Sequence, residues 1–199
     1  MYKRVVIGVG GFTSEVGKTT LICELLKAFP GWEAIKTTRG HYRSCGKDPH
    51  ACCVSDLLSD EPLVRSGREE TYEVGKDTGR YWDAGAANVH WLIATDNQVE
   101  KGIKQALARV RSPGVFVEGN SFSQFVDTDH FVMVRRSDTD KIKHSARRSL
   151  GKATAIYVSG VTSESSDMEA LSIKSIPLFT SSDLFSLIGY LKWNRSIAS

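Results

Sequence analysis

Gly10-Gly11-Phe12-Thr13-Ser14-Glu15-Val16-Gly17-Lys18-Thr19-Thr20 stands between an apolar run and a stretch with Leu21, Leu25, Leu26 and Phe29 at helical spacing. The run, residues 3–9, is rich in β-branched residues and predicts a buried strand. The stretch, residues 18–29, predicts a helix stopped by Pro30-Gly31. In the order strand, glycine turn, helix, backbone N–H groups turn inward around a phosphate, and the helix N-terminus adds partial positive charge. Lys18 is placed to neutralise β- and γ-phosphates, Thr19 to ligand Mg²⁺, and Thr20 to support the phosphate or the helix start. The usual spacing is G-x4-G-K-[ST]. Here only Gly11-x5-Gly17-Lys18-Thr19 fits, one residue longer.

Outward from this loop, strand-length apolar runs alternate with helical periods. Strands are expected at 33–38, 89–94, 115–118, 130–135, 154–158 and 176–179, and helices at 76–87, 96–111, 138–149 and 182–193. On 96–111, Val99, Ile103, Ala106, Leu107 and Val110 share one face. Residues 39–75 lack such periodicity and are expected to be a long functional loop or small excursion. The order predicts an α/β fold, a mostly parallel twisted sheet with helices on both faces.

Composition agrees with one globular domain over 1–199. The chain has 199 residues, 41% hydrophobic and 25% charged, and 26 basic against 23 acidic residues give a net charge of +3. That excess is too small to point to nucleic acid or a membrane surface, and no apolar stretch reaches the roughly 18–20 residues of a span. Met1-Tyr2-Lys3-Arg4 leads into an apolar run that ends in glycines, so no secretory signal is expected and the reading is cytoplasmic. Four cysteines, three of them bunched, do not resemble a disulfide scaffold.

Two resemblances follow from these residues. Residues Thr13 to Thr19 resemble the phosphate loop of dethiobiotin synthetase, which also places five residues between its glycines. That family belongs to the SIMIBI-like class of P-loop NTPases. A lysine follows its second strand, where Lys36 stands here, and a strand ending in Val-Glu-Gly is matched by Val117-Glu118-Gly119. The longer resemblance runs through Gly75-Lys76-Asp77-Thr78-Gly79-Arg80-Tyr81-Trp82-Asp83-Ala84-Gly85-Ala86. This segment is similar to the G-K-D-[ST]-x-R-x-x-x-A-G-A block of the MobB-type adaptor GTPases of molybdopterin-guanine dinucleotide biosynthesis. The matches together span residues 4–122 and keep the family's order.

The adaptor resemblance implies a Mg²⁺-dependent protein that binds GTP or ATP and hydrolyses it slowly, with a cofactor-biosynthesis enzyme as partner and a homodimer as one assembly. The other implies an ATP-dependent ligase or kinase acting on a small acid. The expected nucleotide contacts are Gly11, Thr13, Ser14, Glu15, Val16, Gly17, Lys18, Thr19, Thr20, Lys36, Asp77 and Arg80. Lys18 and Glu118 are the catalytic candidates, and Thr19 and Glu118 the Mg²⁺ candidates. Glu118, at a strand's C-terminal end, faces the crevice where ligands of open α/β sheets gather, there to hold Mg²⁺ through water or to orient an attacking water. Asp77 is either a partner of metal-bound water or a helix cap; Arg80 either pairs with an anion or is solvated. Slow turnover also follows from the lack of a water-orienting glutamine or arginine finger.

The base is not specified. After Ile156-Tyr157-Val158 stands Ser159-Gly160-Val161-Thr162, in place of the Asn-Lys-x-Asp of guanine-specific proteins. Thr180-Ser181-Ser182-Asp183 is the other loop able to approach a base. His41 to Cys53 holds three cysteines and two histidines in 13 residues. Cys45, Cys52 and Cys53 are of the type that binds zinc or an iron–sulfur cluster, although their spacing matches no standard pattern. A nucleotide-controlled metallochaperone, a reactive thiol near Lys47, a metal shared between two copies and simple packing on a helix begun at Cys52 are the alternatives. Cys23 belongs to the core. Arg135, Arg136, Lys141, Lys143, Arg147 and Arg148 are expected to form a solvated face, and His90, His130 and His144 have no companion at ligand spacing.

Overall fold

The computed structural model describes residues 4–40, 57–160 and 176–193. In chain order the elements are β1 (Val5–Gly11), α1 (Lys18–Ala28), β2 (Glu33–Arg39), β3 (Leu63–Ser66), α2 (Arg68–Thr71), α3 (Asp77–Asp83) and β4 (Val89–Ala94). There follow α4 (Val99–Arg109), β5 (Gly114–Glu118), β6 (His130–Arg136), α5 (His144–Leu150), β7 (Ala155–Ser159), β8 (Leu178–Thr180) and α6 (Leu184–Trp193). The eight strands form one sheet in the order β3-β4-β2-β5-β1-β6-β7-β8. Every pairing is parallel except that of β3 with β4. This is the α/β architecture expected from the alternation.

Apolar side chains of the central strands leave the sheet on both faces, and each face has its own core. Ile7 and Val9 pack with Leu21, Ile22, Leu25 and Leu26 of α1, Tyr81 of α3, and Leu187 and Leu191 of α6. On the opposite face Val115 and Val117 pack with Val99, Ile103 and Ala106 of α4 and Ala146 of α5. Phe29, Trp32 and Phe116 close the first core, with ring centroids 4.7–5.5 Å apart. The predicted stripe is buried at Val99, Ile103 and Ala106 of α4 and at Val110 just after it, while Leu107 is only partly covered. Cys23 is buried in the first core, as expected.

The sheet order places the site. β1 lies between β5 and β6, so the chain leaves β5 on one side of β1 and returns as β6 on the other. Such a reversal opens a crevice at the C-terminal strand ends. The β1–α1 loop enters that crevice.

Two expectations change, and a third segment gains a structural role. Residues 39–75 are not loop throughout: Leu63–Ser66 add an antiparallel edge strand to β4, and Arg68–Thr71 make one helical turn. Four residues are too few to show a period, and it is pairing with β4 that makes this segment a strand. The helix expected at 138–149 is shorter, because α5 begins only at His144. Before it, local bonds hold a turn: Arg136 Nε donates to Asp138, Lys141 N to Thr139 Oγ1, and Arg135 Nη2 to Asp140. In the third, the Asp183 carboxylate accepts from the Thr180 N–H (3.1 Å) and hydroxyl (2.7 Å). Both bonds go to Oδ2, so the carboxylate caps the start of the last helical segment.

Candidate functional site

The β1–α1 loop is pinned from below at several points. The Gly11 N–H donates to Asn120 Oδ1 (2.8 Å) and Asn120 Nδ2 returns a bond to the Gly11 carbonyl (2.9 Å). The Phe12 N–H donates to Val134 O (2.9 Å), and the Ser159 hydroxyl to Val16 O (2.8 Å). Phe12 is drawn into one core and Val16 into the other, so Thr13, Ser14 and Glu15 form the arch between two apolar anchors. Glu15 has φ 57° and Gly17 φ 90°, both left-handed. Only glycine takes such a conformation routinely, and Gly17 is where the loop turns into α1.

Lys36, Asp77, Arg80 and Glu118, distant in sequence, meet this loop. With Ser14, Glu15, Gly17, Lys18, Thr19 and Thr20 they line a cleft of about 450 Å³. Glu118, 3% exposed, ends β5. A buried carboxylate costs several kcal/mol unless it is paired and hydrogen-bonded. Here Lys36 Nζ reaches Oε1 at 2.6 Å, the Thr19 hydroxyl donates to Oε2 at 2.9 Å, and the Tyr81 hydroxyl also donates to Oε2. Lys36 bonds Asp77 as well. Arg80 Nη2 donates to Thr20 Oγ1 at 3.0 Å, tying α3 to the first turn of α1.

The electrostatics follow from burial and neighbours. Burial lowers the Lys18 pKa; Glu118 opposes this and Lys36 adds to it, and the net shift is downward. For Lys36 burial also pulls down, but Glu118 and Asp77 outweigh it and hold the ammonium above its ordinary value. Burial pushes Asp77 up, yet its bond to Lys36 wins and its pKa falls below the usual carboxylate range. Burial and then Glu118 push Tyr81 well above the ordinary phenol value, so it remains a donor. Lys18 and Lys36 against Asp77 and Glu118 make a balanced set of charges.

Some expected residues sit elsewhere. Thr13 stands on the arch, its hydroxyl donating to the Ser14 carbonyl at 3.1 Å. The Val16 side chain is a core anchor, which leaves its backbone for the loop. Cys45, Cys52 and Cys53 lie outside the described residues, as does Thr162. Among the described residues no group of three or more His, Cys, Asp or Glu side chains is arranged to hold a metal ion. Tyr81 was not anticipated, although it stands one helical turn after Asp77, on the same face. Nor was Lys143, which is half-buried beside the loop, its backbone N–H donating to Phe12 O at 2.9 Å. The His90 ring is hydrogen-bonded at both nitrogens, Nε2 contacting Glu33 at 2.6 Å and Nδ1 the Ser66 hydroxyl at 2.8 Å, at the opposite end of the sheet.

A mostly parallel α/β sheet whose first strand delivers a glycine loop into a helix, at the point where strand order reverses, is the fold of P-loop NTPases. No protein-family model matches this sequence, and none of the curated proteins does. Two solved structures are similar to this chain, and the first shares its fold. LpxK from Aquifex aeolicus, crystallised in complex with ATP, is similar over 89% of this chain and 53% of its own, with 16% identity and a TM-score of 0.54. A putative plasmid partition protein from Borrelia burgdorferi bound to AMPPNP covers 89% of this chain and 86% of its own, with 9% identity and a TM-score of 0.44. The chain spans about half the length of LpxK. At these identities the likeness is one of fold.

Proposed function

We propose that this chain binds a nucleoside triphosphate, GTP or ATP, with Mg²⁺, hydrolyses it slowly and acts as a MobB-like adaptor in cofactor biosynthesis. The observation that carries the nucleotide reading is the convergence of Lys18, Thr19, Lys36, Asp77 and Glu118 on one cleft at the mouth of the glycine loop. That LpxK was crystallised with ATP supports it. The adaptor role rests on the Gly75–Ala86 resemblance.

Hydroxyl and carboxylate oxygens are the hard donors that Mg²⁺ takes, and the 2.9 Å Thr19–Glu118 contact brings one of each together, so the donor set fits the ion. Thr19 would hold it, with Glu118 behind. When bound, the ion supplies neutralisation of charge on the terminal phosphate oxygens. Lys18 adds a positive charge of its own. Lys36 keeps Glu118 and Asp77 in place from the β2 side. Glu118 accepts from Lys36, Thr19 and Tyr81, which fixes the carboxylate in place and leaves Oε1 with acceptor capacity for a water. Slow turnover by the isolated chain follows from the lack of a water-orienting glutamine or arginine finger in the sequence.

A second reading, phosphoryl transfer to a small acid, is favoured by one observation. Another cleft, lined by Lys143 and Arg39, opens beside Lys18.

Titration of ATP and GTP, with and without Mg²⁺, tests the nucleotide reading. One of them should bind with Mg²⁺, and Lys18→Ala should weaken it by roughly 10- to 100-fold, the worth of a charged hydrogen bond. Failure of both nucleotides to bind overturns it.

A further inference from the structure

Beside Glu118 lies a further cleft of about 360 Å³, walled by Lys18, Arg39, Glu118, Asn120, Lys143 and Ser145 and not lined by Asp77. It meets the phosphate cleft at Lys18, Lys36 and Glu118. Its volume is within the range of ligand pockets, about 300–1,000 Å³. Four cations reach it, Lys18, Lys36, Arg39 and Lys143, against the single carboxylate of Glu118. Two already have carboxylate partners: Lys36 pairs with Glu118 and Asp77, and Arg39 with the exposed Asp96 at 3.1 Å. Lys18 belongs to the nucleotide under the reading above. Lys143 remains, and among the described residues no carboxylate pairs with it.

Lys143 is also fixed in place. Its backbone N–H holds the Phe12 carbonyl at 2.9 Å, and it immediately precedes α5, so its position is tied to the phosphate loop itself. Burial, then Lys18 and Arg39, push its pKa down, and Glu118 opposes them without prevailing. A bound anion would relieve that repulsion. The third cleft nearby has no such excess, because Lys36, Arg65 and Lys76 there face Glu70, Glu73 and Asp77.

We propose that the cleft bounded by Lys18, Arg39, Lys143 and Ser145 is a second anion subsite, which seats a phosphate or carboxylate group of a small ligand beside the terminal phosphate of the nucleotide. The proposal rests on the nucleotide-binding reading and extends it to the class of the second ligand. Lys143 is the residue that defines the subsite, and its substitution leaves the backbone bond to Phe12 intact.

The test is calorimetric, at constant ionic strength. Full-length protein is loaded with Mg²⁺ and AMPPNP or GMPPNP, whichever binds, and inorganic phosphate and acetate are titrated separately into it. One of the two should bind the loaded wild type, and which one does separates a phosphate-bearing ligand from a carboxylate. Lys143→Ala should weaken that binding by about 10-fold or more, as expected for loss of a charge-assisted contact, and Lys143→Arg should restore it. ADP and GDP affinity should stay within about 3-fold in Lys143→Ala, a change under 1 kcal/mol. If neither anion binds while Lys143→Ala weakens the triphosphate analogue but not the diphosphate, Lys143 serves the nucleotide's own terminal phosphate and the subsite is refuted. Absence of any effect refutes it too. If neither analogue binds, the nucleotide reading has failed on its own, and the anions are titrated into the unloaded protein. Binding lost in Lys143→Ala then keeps the subsite, and no binding removes it.

Discussion

Glu33 illustrates what one buried carboxylate does far from the crevice. At the start of β2, its Oε1 accepts from the N–H groups of Arg111 (2.7 Å) and Ser112 (2.8 Å), while Oε2 contacts His90 Nε2 at 2.6 Å. It therefore joins β2, β4 and the turn between α4 and β5, and through Ser66 the ring reaches β3 as well. Burial pushes the Glu33 pKa up, but the bond to His90 and the two backbone donors prevail, and the net shift is downward. A carboxylate depressed on folding stabilises fully above its unfolded value, about 4.3, and loses that contribution as pH falls through the lower folded value. Glu33→Gln should thus cost about 1.5–3 kcal/mol at pH 7, the usual worth of hydrogen bonds to a charged group. Urea unfolding of both proteins at pH 7 and near pH 3 checks this. The gap should shrink at the lower pH, and an unchanged gap would show that the charge is not what matters. None of this was legible in the sequence. Glu33 and His90 are 57 residues apart, and no local spacing marks the pair.

At the scale of elements, legibility depended on whether the information was local. β1, its loop and α1 could be read because strand composition, glycines and helical period succeed one another within a single stretch. Lys36, Asp77, Arg80 and Glu118 could be named from resemblance, but their convergence is a product of sheet order. Tyr81 and Lys143 were missed because each acts through a neighbour contributed by a different element. The β5 terminus shows how close the fit is. Gly119 has φ 141°, and a Cβ there would lie 2.0 Å from Thr37 Oγ1, whose hydroxyl donates to the Glu118 carbonyl. Neither the backbone angle nor the space admits a side chain. Gly119→Ala should therefore destabilise the protein by about 1–3 kcal/mol, the typical cost of strained backbone. It should also disturb Glu118 and weaken Mg²⁺-dependent nucleotide binding, to be read by urea unfolding alongside the same titration. Full stability in this variant would mean that β5 and β2 yield more easily than their contacts imply.

For the whole molecule, the crevice is where the two cores meet. α1 and α3 reach it from one face of the sheet and Lys143, preceding α5, from the other, with the glycine loop anchored in both cores through Val16 and Phe12. A nucleotide in the cleft would touch elements packed on opposite sides, so its binding energy should appear as stability of the entire fold. Linkage sets the size: at a ligand concentration 100 times Kd, a site present only in the native state adds about 2.7 kcal/mol. For a domain of 150–250 residues each kcal/mol moves Tm by about 2–4 °C, so Mg²⁺ with the preferred triphosphate should raise Tm by about 5–10 °C. The shift should grow with the logarithm of concentration, and fall to about 1–6 °C in Lys18→Ala at the same concentration, where binding weakened 10- to 100-fold leaves about 0.4–1.4 kcal/mol. Hydrogen exchange would locate it, with slower exchange expected in the loop, the start of α3 and the segment joining β6 to α5. A Tm that rises while protection stays confined to the loop would mean that the two halves of the sheet are less tightly coupled than the shared anchoring of the loop implies.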